Sequence, residues 1–308
     1  MDTTTSRAAA AAYFSNTVDI ITERLFALGY IKEKAITLAQ RRRIMQSQAR
    51  MERAYLPKLS NAARSGFEND KRNTLAIMSG ANRKSLSRKA TVNWEEVNYD
   101  LYQYFANAGD DEWRALFAPL FRSIVIESSE RWSSAFGIAF DVQNLDARDY
   151  FNQYTIKFAQ EINDTTERDI AQIMARAQAD GASVAQVQNQ LDALFSRYMS
   201  GELPDDEFEW YTNRTPSYRK ELIARTEFTK SSNAGSFETF SDWGAPKKEW
   251  LTAMDGRERA DHGAANGQIV GINEAFIVGG SYMMFPGDPT ADISQLANCR
   301  CTFAPVLS

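Results

Sequence analysis

The 308 residues contain only two cysteines, Cys299 and Cys301, and a single histidine, His262. Two thiols cannot build the disulfide framework of a secreted scaffold, and so low a count fits a reducing compartment. Ser-His-Asp or Cys-His catalysis would consume the only histidine, and neither cysteine stands in a recognisable nucleophile context. No run of about 18 apolar residues occurs, which excludes a transmembrane helix. Met1 to Ala12 is rich in Thr, Ser and Ala and lacks the basic and apolar regions of a secretory signal. A soluble protein made inside a cell is expected. Gly-x-Gly-x-x-Gly and P-loop patterns are missing, so the glycines of the tail read as turn positions. There is no internal repeat.

Apolar residues make up 44% and charged residues 24% of the chain, values of an ordinary globular protein with one large domain or two smaller ones. The net charge is −5, but its distribution is uneven. Between Lys32 and Lys89 basic residues dominate, beginning with Arg41, Arg42, Arg43, Arg50 and Arg53. The asymmetry fits a basic surface for nucleic acid or an acidic partner protein. The alternative is a solvated helix face neutralised by the chain's own acidic remainder. The aromatics Trp94, Tyr99, Tyr102, Tyr104, Trp113 and Trp132 read as core or interface anchors and not as base-stacking platforms.

Glycine and proline are sparse in the first two-thirds, where apolar residues recur at helical spacing. Val184, Val187, Leu191, Leu194 and Phe195 define one helix, opened by a capping box at Ser183 and Gln186. Other helices are expected over Ile162–Arg176, with Asp164 or Thr165 as cap, over Trp94–Ala106, and over Trp113–Phe136 with a break or kink near Pro119. An exposed basic helix is expected over Arg41–Lys58, ending near Pro57. The acidic run from Pro204 to Glu209 signals a linker. A further helix is expected from Tyr218 to about Asn233, with Gly235 or Gly244 as stops. Beyond Lys247, short strands are expected at Glu249–Met254, Gln268–Ile272, Phe276–Val278, Tyr282–Phe285 and Cys301–Val306. The fold class is therefore a mostly α N-terminal region, residues 1–200, plus a small α+β C-terminal domain, residues 205–308.

The informative stretch runs from Glu221 to Pro305. In order it carries Ile-Ala-Arg-Thr-Glu at 223–227, Asn233-Ala-Gly235, Lys248-Glu-Trp-Leu, Asp255-Gly-Arg-Glu-Arg-Ala-Asp-His262, Gly267-Gln, Glu274-Ala-Phe, Pro286-Gly-Asp-Pro289 and Asn298-Cys-Arg-Cys301. This ordered set resembles the Mu-F-like phage head-morphogenesis family of minor head proteins, over about residues 160–306 when the helical pair Ile162–Phe195 is included. The resemblance implies a low-copy structural protein of the virion head. Its expected partners are the portal protein, capsid or scaffolding proteins and double-stranded DNA, with no membrane. No catalytic residue is assigned, and no toxin or transferase module is expected after Val306.

Two groups of residues have a chemistry of their own. On a strand, Cys299 and Cys301 would point to one face, and His262 alongside would complete three ligands of a tetrahedral zinc site, with water, Asp255 or Asp261 as the fourth. Against this stands a packing role, with the thiols as small buried hydrophobes and His262 hydrogen-bonded in a turn. Arg225, Glu227, Asp255, Arg257 and Arg259 are expected to form a buried ion-pair and hydrogen-bond network that staples a domain short of apolar core, with a substrate-binding pocket as the alternative, and Asn298 is a further residue of the structural motif. A zinc enzyme using His262, Cys299 and Cys301 is the rival function. The deaminase pattern, however, places Glu two residues after its His, where this chain has Ala264. The Pro286–Pro289 segment reads as a rigid turn.

Overall fold

The computed structural model of the protein describes residues 36–88, 91–136, 145–200, 219–253 and 256–306. Helix α1 spans Leu38–Arg88, α2 spans Trp94–Gln103 and runs through a π-helical turn at Tyr104–Gly109 into α3, Asp110–Phe136. Helices α4, Leu145–Ala179, α5, Val184–Met199, and α6, Arg219–Asp242, follow. The remainder holds β1 at Lys247–Leu251, α7 at Ala260–Ala265, β2 at Ile269–Gly271, β3 at Phe276–Val278, β4 at Ser281–Met283, α8 at Ile293–Leu296 and β5 at Thr302–Val306. A long helical region with a small C-terminal sheet is the fold class expected from the sequence.

Helix α1 does not stop at Pro57 but continues for 51 residues. An interior proline costs about 3 kcal/mol through its missing N–H and its ring clash. Met51, Tyr55, Leu59, Ala63 and Phe67 recur every fourth residue and are all buried, and each large one returns about 1.5–3 kcal/mol. Packing wins, and Pro57 sits on the exposed side. The same balance carries α3 unbroken through the exposed Pro119, flanked by the buried Phe117 and Phe121. Asp164 and Thr165 are not caps, because α4 begins some twenty residues earlier. The capping box of α5 is present, with the Gln186 N–H donating to Ser183 Oγ and the Ser183 N–H to Gln186 Oε1.

Helix α6 passes through Gly235 and ends near Gly244, whose φ is +70°. Gly235 is needed for contact and not as a stop: a Cβ there would lie 2.8 Å from the Val125 carbonyl oxygen of α3. Serines line this close crossing, with Ser128 Oγ donating to the Ser232 carbonyl at 2.7 Å and Ser129 Oγ to that of Gly235 at 3.1 Å.

Strand β1 is the middle of a three-stranded antiparallel sheet in the order β2-β1-β5. Lys247 pairs with Val306 and Leu251 with Thr302 on one side, and Glu249 pairs with Ile269 on the other. Strands β3 and β4 form a separate hairpin. Two apolar cores result. The first lies among the helices and ends with Ile223, Ala224 and Phe228 of α6. The second surrounds the sheet and includes Trp132 of α3 together with Ala234 and Phe240 of α6. Helix α6 therefore belongs to both. Pro204–Glu209, the expected acidic linker, lies outside the described residues.

Candidate functional site

Two segments converge beside the sheet. Helix α7 presents His262, and the chain leaving α8 presents Cys299 and then Cys301 before β5 begins. The cysteines precede the strand, so their convergence comes from the turn at Ala297–Asn298 and not from strand alternation. Cys299 Sγ lies 3.6 Å and Cys301 Sγ 3.4 Å from His262 Nδ1. The Cys301 N–H donates to Cys299 Sγ at 3.4 Å. All three residues are buried, and the Trp250 ring stands edge-on to the imidazole at 5.8 Å. The hydrogen bond with Cys301, then the charges of His262 and Arg259, hold the Cys299 thiol well below its ordinary range against the opposing effect of burial. His262 Nε2 meets Gln295 Oε1 at 3.1 Å. Asp261 accepts from Gln295 Nε2 at 3.3 Å, and Asp255 lies outside the described residues.

The segment that carries the cysteines is held by one face of α6. Arg225 Nη1 donates to Asn298 Oδ1 at 3.0 Å, and Thr226 Oγ1 accepts from the Asn298 N–H at 3.0 Å. Thr229 Oγ1 donates to the Cys299 carbonyl at 2.5 Å. Asn233 Nδ2 donates to the carbonyls of Cys301, 3.0 Å, and Pro286, 2.8 Å, while its Oδ1 accepts from Thr302 Oγ1 at 2.8 Å. Residues 226, 229 and 233 follow helical spacing, so one stripe reads successive groups of the incoming chain. The Pro286–Pro289 turn is held further by Asp288, which accepts from the N–H groups of Met284 and Thr290.

The expected arginine–carboxylate network is distributed differently. Arg225 pairs with Glu52 of α1 at 3.2 Å, a residue the sequence did not single out. Burial raises the Glu52 carboxyl above its usual value, and Arg225 opposes that shift. Glu227 faces the other way, pairing with Lys230 Nζ at 3.0 Å and accepting from the Tyr154 hydroxyl. Burial pushes its carboxyl up, against the pull of Lys230. Glu227 and Lys230 help to line a cleft of about 600 Å³ between α4, α6 and the chain around Thr290–Ile293. Arg259 donates to the Ala297 carbonyl. Arg257 is partly buried, and Arg225, Arg259 and Asn298 gather around the turn before the cysteines.

The five basic candidates of α1 separate into four and one. At about 100° per residue, Arg42, Arg43, Arg50, Arg53, Lys58, Arg64, Arg72 and Arg83 fall within an arc of about 160°, and all are exposed. Glu68 is an acid in the same arc. Arg41 lies outside the arc and turns inward, pairing with Glu249 of β1 and donating to Asn266 Oδ1 at 2.7 Å. Lys32 and Lys89, the ends of the basic stretch, lie outside the described residues. Of the aromatics, Trp113 and Trp132 are core residues, whereas Tyr99 and Tyr102 of α2 are exposed.

Sequence reasoning assigned no roles to Thr226, Thr229, Lys230 and Gln295. The available signal for the threonines was polar residues at helical spacing on a helix that proves buried nearly all round. Lys248, quoted only as part of a motif, is buried between the Phe237 and Phe276 rings and donates to the Ile272 carbonyl at 2.7 Å. Burial lowers its ammonium to about 8.

Residues 168–304 match a family model described as Phage Mu protein F like protein, so the C-terminal segment is similar to that family. The chain is 31% identical over 94 residues to a protein of Bacillus subtilis (strain 168) described as uncharacterized protein YqbB. That alignment takes in 29% of this chain and 31% of the relative, so the chain spans about a third of the relative's length. No solved structure gives a significant match. Among the described residues, no helix is long and apolar enough to cross a membrane.

Proposed function

Starting from a Mu F-like C-terminal segment, we propose that the protein is a minor head protein of a tailed phage. In this reading it binds the portal protein, contacts capsid or scaffolding proteins during head assembly, and touches packaged double-stranded DNA. The family match over residues 168–304 carries the reading. The polar stripe of α6 supports it as well, because it makes the motif residues a rigid frame and commits them to holding chain segments together. An assembly protein needs such a frame.

DNA contact rests on the basic face of α1. Arg43 to Arg83 extends for about 60 Å at 1.5 Å per residue, and its guanidinium groups are exposed. Side chains so arranged neutralise phosphates without reading bases. A catalytic reading of His262, Cys299 and Cys301 has less support, because all three are buried and a catalytic zinc keeps an open position for substrate.

Quantitative mass spectrometry of proheads and mature particles tests the assignment. A few copies per head, co-purifying with the portal, are expected. Absence from both particles would overturn it.

A further inference from the structure

The His262, Cys299 and Cys301 ligand atoms lie within 4.8 Å of one another, and the finer distances are informative. Zinc takes thiolate at about 2.3 Å and imidazole at about 2.0–2.1 Å, so tetrahedral angles demand a sulfur–nitrogen separation of about 3.6 Å. A planar three-coordinate ion with the same bonds would need about 3.8 Å. The observed separations are 3.4 and 3.6 Å.

The protonation of the imidazole follows from its neighbours. A carboxylate only accepts, so the Gln295 amide nitrogen is the group that faces Asp261. Gln295 Oε1 then faces His262 Nε2, and that nitrogen must carry the proton. Nδ1 is the ring nitrogen directed at the two sulfurs, and so the one placed to ligate. A single cation satisfies both sulfurs and the nitrogen together. The arrangement also has the outer hydrogen bond that orients a ligating histidine and a backbone N–H directed at a sulfur.

We propose that His262 Nδ1, Cys299 Sγ and Cys301 Sγ bind one structural zinc ion that ties α7 to the chain entering β5. Asp261 is turned to Gln295 and does not face the cluster as a fourth ligand. The ion would close the loop from 262 to 299 in a part of the fold whose strands are three to five residues long.

The test uses the full chain without a histidine tag, purified under reducing conditions from zinc-supplemented culture. About one zinc per chain is expected, released by thiol modification. Cobalt(II) replacement should give the thiolate charge-transfer band in the near ultraviolet and strong visible bands of a tetrahedral ion. His262→Gln and Cys301→Ser should each abolish the charge-transfer band or shift it and reduce zinc content severalfold. Should those variants fail to fold, chelation of the wild-type chain should lower its melting temperature, with recovery on adding zinc. Folded wild-type protein with less than about a tenth of an equivalent of zinc, and no cobalt–thiolate band on titration, would overturn the proposal and leave a thiol–imidazole cluster.

Discussion

Asn298 has φ +58°, and the N–H of this left-handed residue donates to Thr226 Oγ1, one turn before the helix face that holds both cysteine carbonyls. A non-glycine residue pays roughly 1–2 kcal/mol to sit there, and asparagine tolerates it best. The Arg225 contact to its side chain supplies part of the compensation. Thr226→Val keeps the shape but leaves a buried N–H without its acceptor. A loss of about 1–3 kcal/mol in urea denaturation is expected. Asn298→Ala should be comparably harmful, and Asn298→Gly milder. Unchanged stability of Thr226→Val would show that the turn is held elsewhere.

The contact between Gly235 and Val125 allows a second, sharper expectation. Alanine is the better helix former by about 1 kcal/mol, so propensity alone makes Gly235→Ala stabilising. The added methyl would meet a backbone carbonyl at 2.8 Å, and a main-chain atom cannot swing aside. Overpacking of this kind costs about 1–3 kcal/mol, so net destabilisation is expected, visible as a lower melting temperature. A rise in melting temperature would mean that α3 and α6 can separate without loss.

Asp70 gives the pH dependence. It is buried and accepts from Trp113 Nε1 at 3.0 Å and the Tyr104 hydroxyl at 2.9 Å. Burial nevertheless raises its carboxyl to about 7, against those hydrogen bonds and the Arg219 charge. The folded state therefore holds a proton that the unfolded chain has already released above about pH 4. Stability from this group is full below the unfolded value and falls as pH rises through 7. Between pH 5 and 8 the loss should be about 2–3 kcal/mol. Asp70→Asn should lack that slope, so its stability relative to wild type should improve over the interval. A constant difference at both pH values would refute the assignment.

The basic face can be removed without touching the core. Replacing Arg43, Arg50 and Arg53 by alanine should leave the melting temperature nearly unchanged, because all three are exposed. If they lie on phosphates, affinity for unspecific duplex should fall, and the slope of log affinity against log salt should shrink by about 2 to 3. An unaltered slope would direct attention to an acidic protein partner for this face.

The fold was legible where one periodicity dominated. The α5 helix, its capping box and the positions of the short strands all follow from local pattern. The helix end at Pro57, the break at Pro119 and the stop at Gly235 (Gly244, the other stop expected, lies just past the end) failed for a shared reason. Each is a local penalty overridden by packing against residues far away in sequence. The cluster of His262 with the two cysteines was legible from composition alone, because these residue types occur nowhere else. Glu52 as the partner of Arg225, and Glu249 as the partner of Arg41, were not, since charge pairs separated by about 170–210 positions leave no local pattern.

Sharing one helix between two cores also bears on inheritance. Genes exchange segments by recombination, and a tail region with its own motifs would look like a transferable cassette. Here a donor of the last hundred residues would bring Phe228, which needs a pocket among the helices, and Gly235, which needs a close-fitting α3. Viable crossovers should therefore be confined to parents whose N-terminal helices already offer both surfaces. The N-terminal region, however different its sequence, would then be constrained to vary in step with α6.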